Sequence, residues 1–459
     1  MAEYQDVVVV GGGAGGFAAA MRAAQLGGRV TVVERAQYGG NCMNRACIPL
    51  TFLATTAELL ARARAAGRSG IQLGEPAIDL DALHERLDLI IEGLRLGTQQ
   101  QLADYGIQLV DGQGRLAGPN TVVAGEREVQ ARAIIIATGS IPAQPAIAGA
   151  DLPGVIGTEE AIELREVPAR LAILGGHPWD LELAQYFRAL GAEVTLLVEG
   201  GRLLPEMDGG LAQRLVKLLH DAGISILRSV RVEEIRRTAH GPLALRLAEG
   251  QGEILADKVL AARRLPNTTG LGLRALAVRT ERGAIVVDEQ MRTSVPGIYA
   301  IGDATAGPMW SHKASAQGLV AAENAMAAAS RMSYDVLPHC AYTWPQLAWV
   351  GLTEEEAEAR GLAFSVGKVP LAINPQAVLL GATGGEVKVI AGKRYGKILG
   401  VHMLAPGAAE LISTAALAMQ TEATVGDLVR LVPRHPSIGE ALVDAAMDVE
   451  KRSLHLPKW

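Results

Sequence analysis

An α/β fold with two strand–helix–strand nucleotide-binding units and a separate C-terminal α+β domain is what this sequence predicts, on three observations. The first is an apolar strand, residues 6–10, running into Gly11-Gly12-Gly13-Ala14-Gly15-Gly16, an alanine-rich helix and a second strand, 30–33, closed by Glu34. The second is a repeat of that order: 171–174, then Gly175-Gly176, a helix through 190, and a strand 194–198 closed by Glu199. Two such units imply two Rossmann-like domains. The third is a change of pattern near residue 338, after which strands at 386–390 and 398–402 and a helix at 408–419 follow without a glycine fingerprint.

The elements between these landmarks follow from periodicity and breakers. Residues 53–66 and 79–105 carry helical spacing without a strong breaker. Residues 133–140 read as a buried strand ending in a turn, followed by a Pro-rich linker over 141–153. A second short strand over 294–304 closes on Gly302-Asp303. The resulting division is 1–145, first dinucleotide-binding domain; 146–265, second; 266–336, a central segment completing the first site; and 337–459, the C-terminal domain.

Composition narrows the class. The 459 residues carry a net charge of −6 and no basic tract, so neither nucleic acid nor an anionic membrane is an expected partner. The apolar start is glycine-rich and has no basic segment before it, unlike a signal peptide. No uninterrupted apolar run reaches about 18 residues, so no membrane span is predicted and a cytoplasmic location is expected. No metal-ligating cluster is predicted.

Cysteine is scarce, with three in the chain, yet two of them stand five positions apart in Gly39-Gly40-Asn41-Cys42-Met43-Asn44-Arg45-Ala46-Cys47-Ile48-Pro49. An irregular first helical turn can bring such sulfurs within bonding distance, and a helix N-terminus favours a thiolate. The block therefore reads as a redox-active disulfide. Gly11-x-Gly13-x-x-Gly16 follows a strand, opens a helix and is answered by Glu34, the context of a pyrophosphate site with a ribose-binding carboxylate.

With these blocks, Ala137-Thr138-Gly139, Tyr299-Ala300-Ile301-Gly302-Asp303, Met309 with His312-Lys313-Ala314, and His435-Pro436-Ser437-Ile438-Gly439-Glu440, the chain resembles the pyridine nucleotide–disulfide oxidoreductases. Within them it is most similar to the dihydrolipoamide dehydrogenases. The resemblance implies FAD in the first domain, held by Gly11, Gly13, Gly16, Glu34, Gly40, Gly114, Thr138, Gly139, Asp303 and the backbone from Met309 to His312. It implies that Cys42 exchanges with substrate and Cys47 faces the flavin. His435, oriented by Glu440, would take the dithiol's proton and would come from the other subunit of a homodimer. The implied reaction is oxidation of a dihydrolipoyl group on a carrier protein, or of a small dithiol, with NAD as acceptor through Gly175 and Glu199.

Departures from the family pattern concentrate on the nucleotide side. His177 and Asp180 stand where the second fingerprint expects glycine, side chains where backbone must approach a pyrophosphate, and Asp180 adds a negative charge. Leu50-Thr51 replaces a Ser-Lys pair whose lysine reaches the flavin, while its glutamate partner is kept as Glu182. Residues 261–267, Ala-Ala-Arg-Arg-Leu-Pro-Asn, lack the expected glycine. Weak NAD(H) binding follows. The rival readings are a mercuric or small-disulfide reductase, against which the cysteine-free end 453–459 counts, and a flavin-bearing electron-transfer or binding subunit without nicotinamide turnover.

Overall fold

The structure is a computed structural model and describes residues 4–239 and 241–457. Lys458 and Trp459, at the cysteine-free end, lie outside the described residues. The chain separates into two compact units, one of residues 1–52, 79–144 and 262–333, the other of 53–78, 145–261 and 334–459.

In the first unit, unbroken runs of β-branched residues make strands covered on both faces. Tyr4–Val10 lies between Val30–Glu34 and Arg127–Ile136, parallel to both, with Val10 opposite Val33 and Ile136. Gln108–Asp111 extends one side, and the antiparallel strands Thr121–Ala124 and Gly114–Gly118 extend the other. Ile298–Ala300, far along the chain, pairs with the end of Arg127–Ile136. The sheet thus gathers into one place the strand ends that carry Gly11, Ala137 and Gly302. The helices Ala14–Gln25 and Ser311–Ala325 pack through small residues, Ala19, Ala20 and Ala23 sharing a core with Ala321 and Ala322. A Cβ on Gly318 would strike the carbonyl of Gly15, so this approach requires glycine.

The second unit holds the repeated motif. Its parallel sheet runs in the order Ile224–Arg228, Glu193–Val198, Arg170–Leu174, Lys258–Leu260, Val155–Ile156, and three antiparallel strands, Val232–Arg237, Leu243–Leu247 and Glu253–Ala256, form a separate sheet. The C-terminal region is a five-stranded antiparallel sheet ordered His339–Ala341, Gln346–Gly351, Ile398–Ala405, Glu386–Gly392, Phe364–Pro370. The helix Gly439–Asp448 lies on it, with Val387, Val389, Met403 and Ala445 buried in one core.

Two features of the fold stand beside the sequence expectations. Residues 53–78 cluster with the second unit, not with the segments flanking them. The helix Cys47–Ala65 carries them there, and Arg64 Nη1 donates to the carbonyl of Ala189 at 2.6 Å. Moreover, the helical run Gly40–Ser69 is long and apolar enough, by length and composition alone, to cross a membrane. Its charges, among them Arg45, Glu58, Arg62 and Arg64, are spaced along it, so no uninterrupted apolar stretch forms. The run is not one helix, because Ala46 breaks it at φ −140° and ψ −96°.

A buried ion pair braces the second unit. Lys388 Nζ, on the sheet, lies 2.6 Å from Asp208, and both side chains are under 5% exposed. Asp208 also caps the helix Gly209–Asp221, and Glu354 completes the cluster. Lys388→Ala strands a buried carboxylate and is expected to cost about 3 kcal/mol, read as a lowered urea midpoint with an unchanged slope.

Candidate active site

The cysteine pair is built on the first glycine turn. Gly39 N–H donates to the Gly12 carbonyl at 2.8 Å, and Gly39 and Gly40 both have positive φ. A Cβ on Gly40 would stand 2.7 Å from Gly13 Cα, so glycine lets the cysteine helix seat directly on the fingerprint. Asn44 holds the short helix Gly40–Arg45, donating to the carbonyls of Tyr38 and Gly40 at 3.0 and 2.8 Å. The break at Ala46 then separates Cys42 from Cys47 at the head of the next helix.

Both cysteines are thiols in this structure, within hydrogen-bonding reach of one another. They titrate as a unit. The Cys47 S–H bonds to the Cys42 sulfur and, against the cost of burial, brings the Cys42 thiol down to about 7. The same hydrogen bond holds the Cys47 thiol far above its ordinary range. The resemblance expects the thiolate at Cys47. In the reduced protein alone the charge falls first on Cys42, because its neighbour is the donor.

A cavity open to solvent joins Cys42 to the fingerprint. Gly11, Gly13, Glu34, Gly40, Thr138, Gly139 and Asp303 line it together with Cys42. Gly114 lines a smaller cavity beside it, shared with Gly11, Glu34 and Thr138. Gly16 is a packing residue, since a Cβ there would collide with the carbonyl of Gly11. Met309 and His312 do not line either cavity. Ser311, between them, lines the larger one. Glu34 takes the backbone N–H groups of Gly12 and Ala36 at 2.7 and 2.8 Å, so it braces the turn, with carboxylate lone pairs left for a hydroxyl.

The residues fit FAD. The helix Ala14–Gln25 begins with no side-chain cap and no acid in its first turn, leaving its N–H groups to an anion. Opposite, Asp303 is fixed by Ser140, whose hydroxyl donates to it at 2.7 Å while accepting from Arg264 Nε at 2.8 Å. Asn41 reaches the Ser140 carbonyl at 2.8 Å. Sequence reading gave no side-chain role to Ser140, Arg264, Asn41 or Ser311. Arg264 was seen only as part of a strand end without glycine, yet the strand Arg264–Pro266 pairs with Ser140–Pro142.

The second fingerprint is closed from within. Its helix, Pro178–Ala189, begins at His177, and the Asp180 carboxyl accepts the His177 N–H at 3.0 Å. That carboxyl lies against Gly175, and the His177 ring stacks on Trp179 at 4.9 Å. Asp180 is fully buried, its Oδ1 without a hydrogen-bond partner. Burial, with Glu182 adding to it and the His177 N–H opposing, pushes its carboxyl up to about 8. The expected negative charge is therefore corrected: near neutral pH the group is mostly protonated, and it obstructs by bulk and by occupying a donor. Glu182 has found another neighbour, accepting the Tyr342 N–H at 2.8 Å. Thr51 is half-buried, and Glu199 is exposed just past its strand.

A raised carboxyl pKa stabilises the fold only at low pH. Stability from Asp180 is present below its ordinary value of about 4 and lost as pH rises through about 8. Asp180→Asn should remove that slope, so the two proteins' urea midpoints should diverge between those limits in the variant's favour and run parallel above.

In the second unit, His435 Nδ1 lies 2.9 Å from Glu440 Oε1, and the Ser437 N–H donates to Oε2 at 2.8 Å. Burial raises the Glu440 carboxyl, but His435 and the Ser437 N–H outweigh it and hold it below the ordinary range. The carboxylate accepts a hydrogen bond from Nδ1–H, which leaves Nε2 as the basic atom on an exposed ring.

Comparisons with known proteins identify the family. The pyridine nucleotide-disulphide oxidoreductase family matches residues 5–318, and that family's dimerisation domain matches 337–446. The dihydrolipoyl dehydrogenase of Thermus scotoductus is 38% identical, over 98% of this chain and 98% of its own. LpdA from Mycobacterium tuberculosis superposes with a TM-score of 0.89 at 25% identity, over 96% of this chain and 99% of its own. The HOCl-induced flavoprotein disulfide reductase RclA from Escherichia coli, solved as a Cu(II) complex, does so with 0.86 at 27% identity, over 97% and 99%. With its cysteine pair on an open dinucleotide turn, the chain belongs to the pyridine nucleotide–disulphide oxidoreductase family and is a flavoprotein disulfide oxidoreductase of the lipoamide dehydrogenase type.

Proposed function

We propose that this protein oxidises a dihydrolipoyl group, carried on a protein or presented as a small dithiol, and that it uses NAD(H) poorly. The observation that carries the reading is the contrast between the two helix N-termini: open beside the cysteines, self-capped by Asp180 in the repeat. Bound FAD would supply the two-electron acceptor. The substrate thiolate attacks Cys42 Sγ, the Cys42–Cys47 bond breaks, and Cys47 leaves with the electron pair. The second substrate thiol then displaces Cys42, giving a substrate disulfide and a protein dithiol, while His435 of a dimer mate takes its proton at Nε2. A mercuric or small-disulfide reductase would need a nicotinamide donor, which the closed turn disfavours. The direction from dithiol to an acceptor other than NAD is the better supported.

Mixing the oxidised holoenzyme anaerobically with dihydrolipoamide, and separately with NADH, tests this. The dithiol should reduce it rapidly and NADH slowly; the reverse order would overturn the reading. Replacing His435 with Ala should keep the cofactor and the dimer while slowing dithiol oxidation roughly 10²-fold, and Glu440→Gln should do so less. Stopped-flow rates with gel filtration of each variant check both.

A further inference from the structure

We propose that Ser311 is a positioning residue of the active dithiol, its hydroxyl supplying the hydrogen bond that steadies the charged form of the cysteine pair. The proposal rests on the reading of Cys42 and Cys47 as the redox centre. Ser311 Oγ lies 3.1 Å from Cys47 Sγ, though 264 residues separate them. Its bond also favours ionisation of Cys42, so one hydroxyl serves both sulfurs.

Three features of the fold make the contact a fixed one. Ser311 is the first residue of the helix Ser311–Ala325, after the N-cap Trp310, and its hydroxyl is directed to Cys47 Sγ. That helix is locked to Ala14–Gln25 by the glycine contact at Gly318, which sets where its first residue can stand. Its N-terminal end also carries the positive pole of the helix dipole, which adds to the effect of the hydroxyl on a nearby thiolate. The hydroxyl can donate to whichever sulfur bears the charge and accept from the one that keeps its proton.

The other charged groups around the pair cannot replace it. Asp303 faces Cys42 and opposes its ionisation. Lys313, on the same helix, is buried, and burial lowers its own pKa; its Nζ reaches toward the Ala306 carbonyl at 3.4 Å. Glu34, Arg35 and Arg45 line the cavity, and none is among the groups that shift either thiol.

The test uses the holoenzyme reduced by two electrons, in wild-type form and as Ser311→Ala and Ser311→Thr. The rate of iodoacetamide incorporation into Cys42 is followed against pH by mass, alongside the long-wavelength absorbance that a thiolate beside oxidised flavin gives. Ser311→Ala should move both midpoints up by about one pH unit, cutting the thiolate fraction at pH 6 nearly tenfold. Ser311→Thr, which keeps the hydroxyl, should restore the wild-type midpoints. Coincident midpoints in wild type and Ser311→Ala would overturn the proposal. If instead the cysteine pair is not the redox centre, the wild type itself will show no new thiols after two-electron reduction, whatever stands at 311.

Discussion

Cys42→Ser is expected to stop dithiol oxidation, by at least ~10³-fold, while preserving the long-wavelength absorbance of a thiolate beside the flavin. Cys47→Ser is expected to lose both. The asymmetry follows from the chemistry of exchange, in which one sulfur must accept the substrate thiolate and the other must leave as an anion. Serine at 42 removes the sulfur that is attacked but leaves Cys47 to ionise. Without the competing charge of Cys42, which now holds its proton in place, Cys47 should do so more readily. Serine at 47 removes the leaving group and also the strongest S–H donor to Cys42. The alkylation midpoint of Cys42 should therefore rise from about 7 toward that of an ordinary thiol. Stopped-flow turnover, visible spectra and alkylation against pH make the three measurements. Wild-type turnover in either variant would remove the disulfide from the mechanism.

The features legible in the sequence were those written in local pattern. The strand at Val7, Val8 and Val9, the glycines that follow and Glu34 form one contiguous signal, and the turn they build is the one observed. The Cys42–Cys47 spacing was legible for the same reason. Its structural basis is the break at Ala46, which no residue type there announces. His435 and Glu440 are five positions apart and meet across one turn.

What stayed hidden depends on the sheet. Ser140 meets Arg264 because two short strands pair, and Ser311 meets Cys47 because one helix packs on another. A serine at a helix start has many ordinary reasons to be there, so nothing nearby marks it. Asp180 was read as a negative charge at the turn, and the structure gives it another character. Its sequence position says carboxylate, while only its complete burial says that the group keeps its proton.

That character decides what should happen when the second fingerprint is rebuilt. A pyrophosphate at a helix start needs unblocked N–H groups and close backbone approach. Here Pro178 removes one donor, the Asp180 carboxyl occupies the His177 N–H, and the His177–Trp179 stack adds bulk beside the turn. Losing about 3 kcal/mol of binding in this way weakens a nucleotide by roughly a hundredfold. His177→Gly with Asp180→Gly should therefore recover about two orders of magnitude in NADH affinity, measured by titrating the photoreduced holoenzyme. Because the wild-type carboxyl is mostly neutral near pH 7, Asp180→Asn, which removes the charge and keeps the bulk, should recover little there. A charge-based obstruction would give the opposite result, with Asp180→Asn recovering most of the affinity. Adding Thr51→Lys to the double glycine variant should then speed NADH-driven reduction beyond what tighter binding explains, by restoring a cation at the position where the family carries it. Micromolar NAD(H) affinity in the unmodified protein would remove the premise, because the capped turn would then be no obstacle to a pyrophosphate.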